Sequence, residues 1–440
     1  MQRTHLTNDL SAKEDGKTVT LNGWAQDIRA LGKITFLILR DVSGIVQCVA
    51  VKGKTDETLF KDIEHITQES VVSVTGIVKK SNEAKSGFEV FINNLTVLSN
   101  AASLPIQVIE KDKTITTDLS KRLDYRCIDL RKPENFAIFK IQSHLVRGMQ
   151  QELNTQGFLQ VFTPCLMGIA SESGAEAFEV KYYNTKAYLR QDPQLHRQLG
   201  IIGGVEKLYD IGPSWRAEKS HTTRHICEHR AIAPERAFLN DETDTSKLEE
   251  GVIVSALHNV NKHCKEELKT LGVTLNVPET PFPELRFPKI YDILEKMGKT
   301  IPHGEDLDSE ADQLLWEHVQ KKYKTDFYFF NRFPFAAKPF YVMKADDDPE
   351  YARSVDLNCK GIELSSGGQR EHRYDQLMNN IKEKKMDPKP LEWFTQFVNW
   401  GAPTHGGFAI GVERLTQAVL GINNIKETCL FPRDPERSLP

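Results

Sequence analysis

The sequence lacks several features that would assign it to a specialised class of protein. It has no apolar run of about eighteen residues, as a membrane-spanning helix requires, and its first sixteen residues contain no hydrophobic core of a signal peptide. Its seven cysteines are odd in number, far apart and never arranged as CxxC, which argues against a disulfide framework or a zinc ribbon. These absences predict a cytoplasmic protein with reduced thiols and no membrane partner.

The chain also has no large excess of charge of either sign. Its 57 Lys and Arg residues and 61 Asp and Glu residues give a net charge of −4, so any nucleic-acid-binding surface must be local. With 440 residues, of which 39% are apolar and 27% charged, the composition is typical of a globular protein with two or three domains. It excludes a collagen-like, mucin-like or wholly disordered chain.

Residues 1–103 have the pattern of a small β-barrel. Five β-rich runs, at 18–29, 34–41, 45–51, 71–79 and 88–98, are separated by turn signals, with one helical stretch at 56–67. This order is typical of the OB fold, which often binds single-stranded nucleic acid. Trp24 and Phe36 could stack on bases beside Arg29, although each aromatic ring alone could equally fill the barrel.

The rest of the chain divides into a linker and a larger domain. Residues 104–133 are polar and dense in alternating charge, which predicts a hinge. From residue 134, Ile138, Ile141, Leu145 and Met149 recur at helical spacing. Residues 158–161 then read as a strand, and mixed signals without an internal repeat continue to the end. Residues 134–440 therefore predict one large α+β domain.

Two stretches carry residues suited to phosphate chemistry. The first is a strand, a cation-rich loop and a strand, and it contains Arg216, Arg224 and His225. A guanidinium such as that of Arg216 can bind two phosphate oxygens at once. The second stretch is rich in small residues, which allow close approach of the backbone, and ends in Gly411 to Arg414. Together they indicate a site for a polyphosphate.

An oxygen-rich cluster lies between these stretches in sequence. Asp356, Glu363 and Ser366 supply the oxygen ligands that magnesium prefers, and a polyphosphate substrate usually brings this metal. We therefore expect a Mg²⁺ site formed by these three residues.

These stretches resemble the three signature motifs of the class II aminoacyl-tRNA synthetases, and most closely the archaeal and eukaryotic aspartyl-tRNA synthetases. The first motif corresponds to the predicted helix before Gly157 and the strand ending at Pro164. The second matches Trp215-Arg216-Ala217-Glu218 with its loop to His225, and the third matches Gly411-Val412-Glu413-Arg414. Further matching phrases are Gly304-Glu305-Asp306-Leu307, Lys338-Pro339-Phe340-Tyr341, Ser366-Gly367-Gly368-Gln369-Arg370 and Leu430-Phe431-Pro432-Arg433-Asp434. Their number and order, rather than any one of them, carry the resemblance.

The resemblance implies a fold and a reaction. The fold would be an OB domain that binds the anticodon, followed by an antiparallel catalytic sheet, in a homodimer built through the first motif. In the reaction, L-aspartate attacks the α-phosphate of ATP, and the aspartyl group then passes to the terminal ribose of an aspartate tRNA, or of an asparagine tRNA as well. Positioning and charge neutralisation can supply most of the acceleration, so no protein nucleophile is needed.

The resemblance also implies a role for individual residues. Those expected at ATP are Arg216, Glu218, Arg224, His225, His229, Glu363, Gly411 and Arg414. Arg216 would hold the α-phosphate and the amino-acid carboxylate, while Arg414 would stack on adenine and neutralise the γ-phosphate. Glu363 and Ser366 would bind the main Mg²⁺ ion, with Asp356 assisting. Those expected at the amino acid are Glu172, Asp192, Gln194, Arg197, Arg216, Ser366 and Arg370.

Four residues depart from the family pattern. Arg197 replaces a lysine that, together with a cation matching Arg370, binds the side-chain carboxylate, and His229 replaces a phenylalanine that stacks on adenine. Asp192 replaces a small serine, and Ala233 replaces an aspartate that binds the substrate ammonium. We hypothesise that this carboxylate has moved to Asp192, which conserves the local charge. Two alternatives remain open: an asparaginyl enzyme, or a paralogue that makes an adenylate for another reaction.

For the anticodon, the resemblance points to the barrel. Phe36 and Gln47 match family positions that contact bases, and Trp24, Gln26 and Arg29 complete the expected set. Stacking and hydrogen bonding to unpaired bases would then read the sequence.

Overall fold

The computed structural model describes residues 2–109, 117–169, 176–217, 219 and 222–440. It divides into two compact units, Met1–Gln107 and Val108–Pro440. In these described ranges, no helix is long and apolar enough to cross a membrane.

The first unit is a closed five-stranded barrel, as the sequence predicted. Its elements are β1 (Thr18–Ala30), β2 (Ile34–Arg40), β3 (Ile45–Val51), α1 (Glu57–Glu64), β4 (Val71–Lys80) and β5 (Phe88–Ser99), and the strands close in the order β1-β2-β3-β5-β4. Alternation along the strands sends side chains such as Leu21, Leu37 and Val74 into the core. The Asp56 carboxylate caps α1 by accepting hydrogen bonds from two backbone amides.

The second unit contains eleven α-helices and twelve strands in its described residues. The helices are α2 (Leu119–Asp124), α3 (Arg126–Asp129), α4 (Pro133–Thr155), α5 (Gln194–Ile202), α6 (Thr243–His263), α7 (Lys265–Leu271), α8 (Lys289–Lys296), α9 (Ser309–Tyr323), α10 (Tyr374–Glu383), α11 (Glu392–Asn399) and α12 (Val412–Leu420). The strands are β6 (Leu159–Val161), β7 (Leu166–Met167), β8 (Glu179–Tyr182), β9 (Thr185–Leu189), β10 (Lys207–Trp215), β11 (Glu228–Ala237), β12 (Glu284–Arg286), β13 (Phe327–Asn331), β14 (Ser354–Cys359), β15 (Ile362–Glu363), β16 (Ser365–Gln369) and β17 (His405–Gly411).

A nine-stranded sheet organises this unit. Its order is β12-β13-β14-β16-β17-β11-β10-β6, with β15 paired to β14. The central strands are antiparallel, as expected, whereas the pairs β6–β10 and β12–β13 near the two ends are parallel. The sheet is therefore mixed, and the domain is α+β. Strands β7, β9 and β8 form a separate small sheet.

Helices α4, α6 and α12 contribute to the main core together with residues of the sheet. Leu145 of α4 and Val252 of α6 are fully buried there, and each such side chain contributes about 1.5–3 kcal/mol relative to exposure. The two helices approach closely at Gly148, where an added Cβ would lie 2.6 Å from the Cα of Ala256. This helix layer fixes the sheet whose strands carry the site.

The segment predicted as a hinge, 104–133, differs from that expectation. The boundary between the two units falls after Gln107, and α2 and α3 belong to the second unit. Arg126 is fully buried, forms an ion pair with Asp129 at 2.8 Å and donates to the carbonyl of Cys429 at 2.9 Å. Composition could not distinguish solvated alternating charges from charges paired within the fold.

Candidate active site

A cavity of about 300 Å³ lies on the sheet of the second unit. Alternation along β11 sends Ile232 into the main core and turns His229 and Ala231 to the cavity. On β17, Ile410 likewise lies in the main core, whereas Ala409 faces the cavity. The cavity therefore lies on the opposite face of the sheet from this core.

Most of the residues predicted for the site line this cavity. They are Asp192, Gln194, Arg216, Arg224, His225, His229, Glu363, Ser366, Arg370, Gly411 and Arg414. Two others lie just behind the wall, because Arg197 and Asp356 have side chains that are only 1% exposed and contact lining residues. Glu172 and Glu218 lie outside the described residues.

The cations expected at ATP occupy one part of the wall. Arg216 and Arg224 come from the loop between β10 and β11, and Arg414 comes from the first turn of α12. Nη1 of Arg414 donates to Oε1 of Glu363 at 3.2 Å. Three guanidinium groups along one cavity provide the charge that a polyphosphate requires.

His229, on β11, lines the same cavity near two of these cations. Burial and the nearby Arg216 and Arg414 lower the pKa of the imidazole to about 4. The ring is therefore neutral at pH 7, and a neutral aromatic ring can stack on a base without adding to the charge of the site.

The three oxygen-bearing residues expected at Mg²⁺ lie close together. The Ser366 hydroxyl donates to Oδ1 of Asp356 at 2.9 Å. The backbone amide of Gly367 reaches the same oxygen at 3.3 Å, and Nζ of Lys338 donates to Oδ2. Glu363 and Ser366 remain exposed and suit a magnesium ion that also binds phosphate. Within the described parts of the chain, no group of three His, Cys, Asp or Glu residues forms a metal cluster.

At the amino-acid end, Arg197 and Asp192 form a bidentate ion pair. Nη1 and Nη2 of Arg197 donate to the two carboxylate oxygens at 2.9 and 2.7 Å. Burial alone would raise the pKa of the Asp192 carboxyl, but Arg197 and Arg370 hold it below its ordinary value. Asp192 lines the cavity and its side chain is 39% exposed, so a ligand can reach the carboxylate.

A second ion pair lies beside the first. Nε of Arg370 donates to Glu235 at 2.9 Å, and its Nη2 donates to Gln194, Glu235 and the carbonyl of Gly407. The Gln194 side chain joins the two pairs, because its Oε1 accepts from both Arg197 and Arg370. In the described structure, Nη1 of Arg370 has no hydrogen-bond acceptor of its own.

Two members of the site were missed by the sequence reasoning. Glu235 forms an ion pair with Arg370, and Lys338 forms an ion pair with Asp356. The alternation of β11, which puts Glu235 on the same face as His229 and Ala231, could have indicated the first. Lys338 begins the family-like sequence Lys338-Pro339-Phe340-Tyr341, but nothing in that sequence indicates that its partner is Asp356, eighteen residues away.

The residues expected at the anticodon lie on the first three strands of the barrel. Trp24, Phe36 and Gln47 are half-buried, and Arg29 is exposed. Gln26 is the extra residue at a bulge in β1, between Ala25 and Asp27. Arg29 pairs across the strands with Phe36, so their side chains share one face.

Comparison with known families agrees with this arrangement. Residues 118–435 match the family described as tRNA synthetases class II (D, K and N), and residues 19–98 match the OB-fold nucleic acid binding domain. The chain belongs to the class II tRNA synthetases. It is an aminoacyl-tRNA synthetase with an N-terminal OB domain.

Individual members of the family are similar over the whole chain. The aspartate–tRNA(Asp) ligase of Pyrococcus horikoshii is 43% identical, with 100% of each chain covered. The aspartate–tRNA(Asp/Asn) ligase of Methanothermobacter thermautotrophicus is 40% identical, with 100% of this chain and 99% of the relative covered. Among solved structures, asparaginyl-tRNA synthetase from P. horikoshii complexed with asparaginyl-adenylate has a TM-score of 0.92 at 33% identity, with 100% of each chain covered.

Proposed function

We propose that this synthetase is an aspartate–tRNA ligase, which activates L-aspartate with ATP and transfers the aspartyl group to tRNA. Arg370 carries the proposal. It lines the cavity beside Arg197, and its Nη1 is the nitrogen to which a substrate carboxylate can bind. The names of the relatives at 43% and 40% identity support the same substrate.

The activation step needs charge neutralisation and alignment rather than a protein nucleophile. The carboxylate of aspartate attacks the α-phosphate and pyrophosphate leaves. Arg216 would hold the α-phosphate and the attacking carboxylate, while Arg224, His225 and Arg414 would bind the outer phosphates. Magnesium, when bound through Glu363 and Ser366, would supply further positive charge.

The charges at the amino-acid end suit a zwitterion with one additional carboxylate. Arg197 and Arg370 are balanced by Asp192 and Glu235, so these four side chains together carry no net charge. Asp192 would accept the substrate ammonium while keeping its bonds to Arg197, because each carboxylate oxygen can accept more than one hydrogen bond. Arg370 would then bind the side-chain carboxylate.

One observation favours asparagine as the alternative substrate. Both terminal nitrogens of Arg197 already donate to Asp192, which leaves less positive charge for a substrate carboxylate. The structural similarity to an asparaginyl enzyme has the same implication. Arg370 favours aspartate, since a buried guanidinium with a free nitrogen binds a carboxylate more strongly than an amide.

The tRNA and a second copy of the chain are the proposed macromolecular partners. The half-buried aromatic residues of the barrel, Trp24 and Phe36, would stack on anticodon bases. The β6 end of the sheet would form the dimer interface, since Leu159 and Phe162 there are 57% and 83% exposed.

Aminoacylation tests the proposal. Purified protein is incubated with ATP, Mg²⁺ and labelled aspartate or asparagine, with tRNA transcripts for each of the two amino acids. We expect aspartyl-tRNA from the aspartate tRNA, and charging of the asparagine transcript with aspartate would mean that both tRNAs are substrates. Charging with asparagine, or with neither amino acid, would contradict the proposal.

A further inference from the structure

The ammonium group of Lys338 lies inside the cluster expected to bind magnesium. It donates to Oδ2 of Asp356 and lies 3.4 Å from the hydroxyl of Ser366. The Lys338 side chain is 10% exposed and that of Asp356 is 1% exposed. A positive charge of the protein thus lies where the sequence predicted that a metal would be.

Other contacts keep the ammonium in this place. It lies 3.8 Å from the centroid of the Phe333 ring, at cation–π distance. The backbone amide of Lys338 donates to the carbonyl of Phe335, which closes the turn just before the lysine. The position of the ammonium is therefore determined by the fold rather than by a mobile surface chain.

This arrangement opposes a metal at Asp356, because a cation of the protein already lies against its carboxylate. One carboxylate oxygen accepts from the Ser366 hydroxyl and the Gly367 amide, and the other accepts from Lys338. A divalent ion at Asp356 would have to displace the ammonium or lie beside it against electrostatic repulsion. Glu363 and Ser366 remain open to a metal, but Asp356 does not fit the role first expected of it.

We propose that Lys338 is a built-in cation of the ATP site, which replaces a divalent ion at Asp356 and binds the polyphosphate directly. Asp356 then serves to position Lys338 and is not a metal ligand. Because Lys338 lines the same cavity as Arg216 and Arg414, its ammonium adds a further fixed charge along the path of the phosphates. This inference rests on the proposed ATP-dependent activation.

Binding of Mn²⁺, followed by electron paramagnetic resonance without nucleotide, tests the metal half of the proposal. Lys338→Met removes the ammonium and should tighten Mn²⁺ binding by about tenfold or more, because a like charge at this distance no longer opposes the ion. Asp356→Asn alone should bind Mn²⁺ as the unmodified protein does. The double variant Lys338→Met/Asp356→Asn should not show the tighter Mn²⁺ binding, because it lacks the carboxylate to which the additional ion would bind.

Two results would overturn the assignment: weaker Mn²⁺ binding in Asp356→Asn alone, or no gain in Lys338→Met. Thermal unfolding of each variant identifies any loss of folding caused by an unpaired Asp356. If Lys338→Met does not fold, Asp356→Asn still decides the question, since its prediction depends only on whether that carboxylate binds the metal.

Calorimetric titration with ATP at saturating Mn²⁺ tests the phosphate half. Lys338→Met should weaken ATP binding by about tenfold, the value of one charge-assisted hydrogen bond, whereas Lys338→Arg should keep most of the affinity. Equal ATP affinity in all three proteins would refute the phosphate contact. Absence of ATP binding by the unmodified protein would instead count against the proposed function, while the metal titration alone would still test Lys338.

Discussion

Arg197 donates two parallel hydrogen bonds to Asp192, at 2.9 and 2.7 Å, from just behind the wall of the cavity that Asp192 lines. Its guanidinium is 1% exposed, whereas the carboxylate is 39% exposed and faces the ligand space. The cation is therefore fixed, and the anion is the half of the pair that a substrate can reach.

Changing Asp192→Ser tests whether this carboxylate binds the substrate ammonium. We expect the KM for aspartate to rise about tenfold or more, since a charge-assisted hydrogen bond contributes about 1.5–3 kcal/mol. The double variant Asp192→Ser/Ala233→Asp should recover affinity, because position 233 lies on the same face of β11 as Ala231 and Glu235. ATP–pyrophosphate exchange measures both, and an unchanged KM in Asp192→Ser would refute the relocation of the carboxylate.

Arg370→Gln should abolish most of the activity with aspartate. We expect kcat/KM to fall about 100-fold or more, because the site would lose the guanidinium that pairs with the carboxylate. Stability should fall as well, since breaking a buried ion pair costs about 3–5 kcal/mol and Glu235 is 0% exposed. Arg370→Gln/Glu235→Gln is the matched control.

This control should recover stability in urea denaturation without recovering activation of aspartate. If the double variant activates aspartate as well as the unmodified protein does, Arg370 is not the carboxylate-binding residue.

His229 should make stability depend on pH. Burial lowers its folded-state pKa to about 4, whereas the unfolded chain takes up the proton near pH 6.5. Between these values the unfolded state binds more protons, so stability falls as the pH decreases from about 6.5 towards 4. Denaturation at pH 7.5 and 5.0 should show a smaller difference in His229→Phe than in the unmodified protein. An equal difference in both would contradict the assignment.

The edge strand β6 should hold the dimer together. Leu159→Asp/Phe162→Asp puts two charges on an exposed apolar surface and should give a monomer in light scattering, because burying unpaired charges is unfavourable. Trp400→Asp alters another highly exposed aromatic residue, at the end of α11, and should remain a dimer. A dimer in all three proteins would place the interface elsewhere.

Phe36→Ala should impair tRNA charging without affecting amino-acid activation. A stacked base contributes about 1–3 kcal/mol, so kcat/KM for tRNA should fall about 5- to 150-fold while pyrophosphate exchange stays constant. Leu98→Ala, an exposed position on β5 of the same barrel, is the control and should charge normally. Normal charging by Phe36→Ala would exclude a role for this ring in binding tRNA.

The barrel was predictable from sequence because its signal is local. Predicted strands such as 18–29 and 71–79 differ by one residue from β1 (Thr18–Ala30) and β4 (Val71–Lys80), since alternation and turn residues act over a few positions. The 104–133 segment was not predictable, because its arginines also bond to groups about 300 residues away: Arg122 pairs with Glu427, and Arg126 donates to the Cys429 carbonyl.

The site divides in the same way. The sequence motifs grouped Arg216, Glu363 and Arg414 into one site because the spacing and order of the motifs are distinctive. In the structure the three residues line one cavity. The ion pairs that position other residues of the site could not be predicted from the local sequence. Arg370 meets Glu235, which lies 135 residues away, and Lys338 meets Asp356. Such partners depend on strand order rather than on any local pattern.

The most direct test of the central claim is ATP–pyrophosphate exchange by the purified protein with each of the twenty amino acids in parallel. The proposed function predicts strong exchange with aspartate and exchange with asparagine that is about 100-fold weaker or less, because Arg370 distinguishes a carboxylate from an amide. Preference for asparagine or another amino acid, or no exchange with any of them, would contradict it.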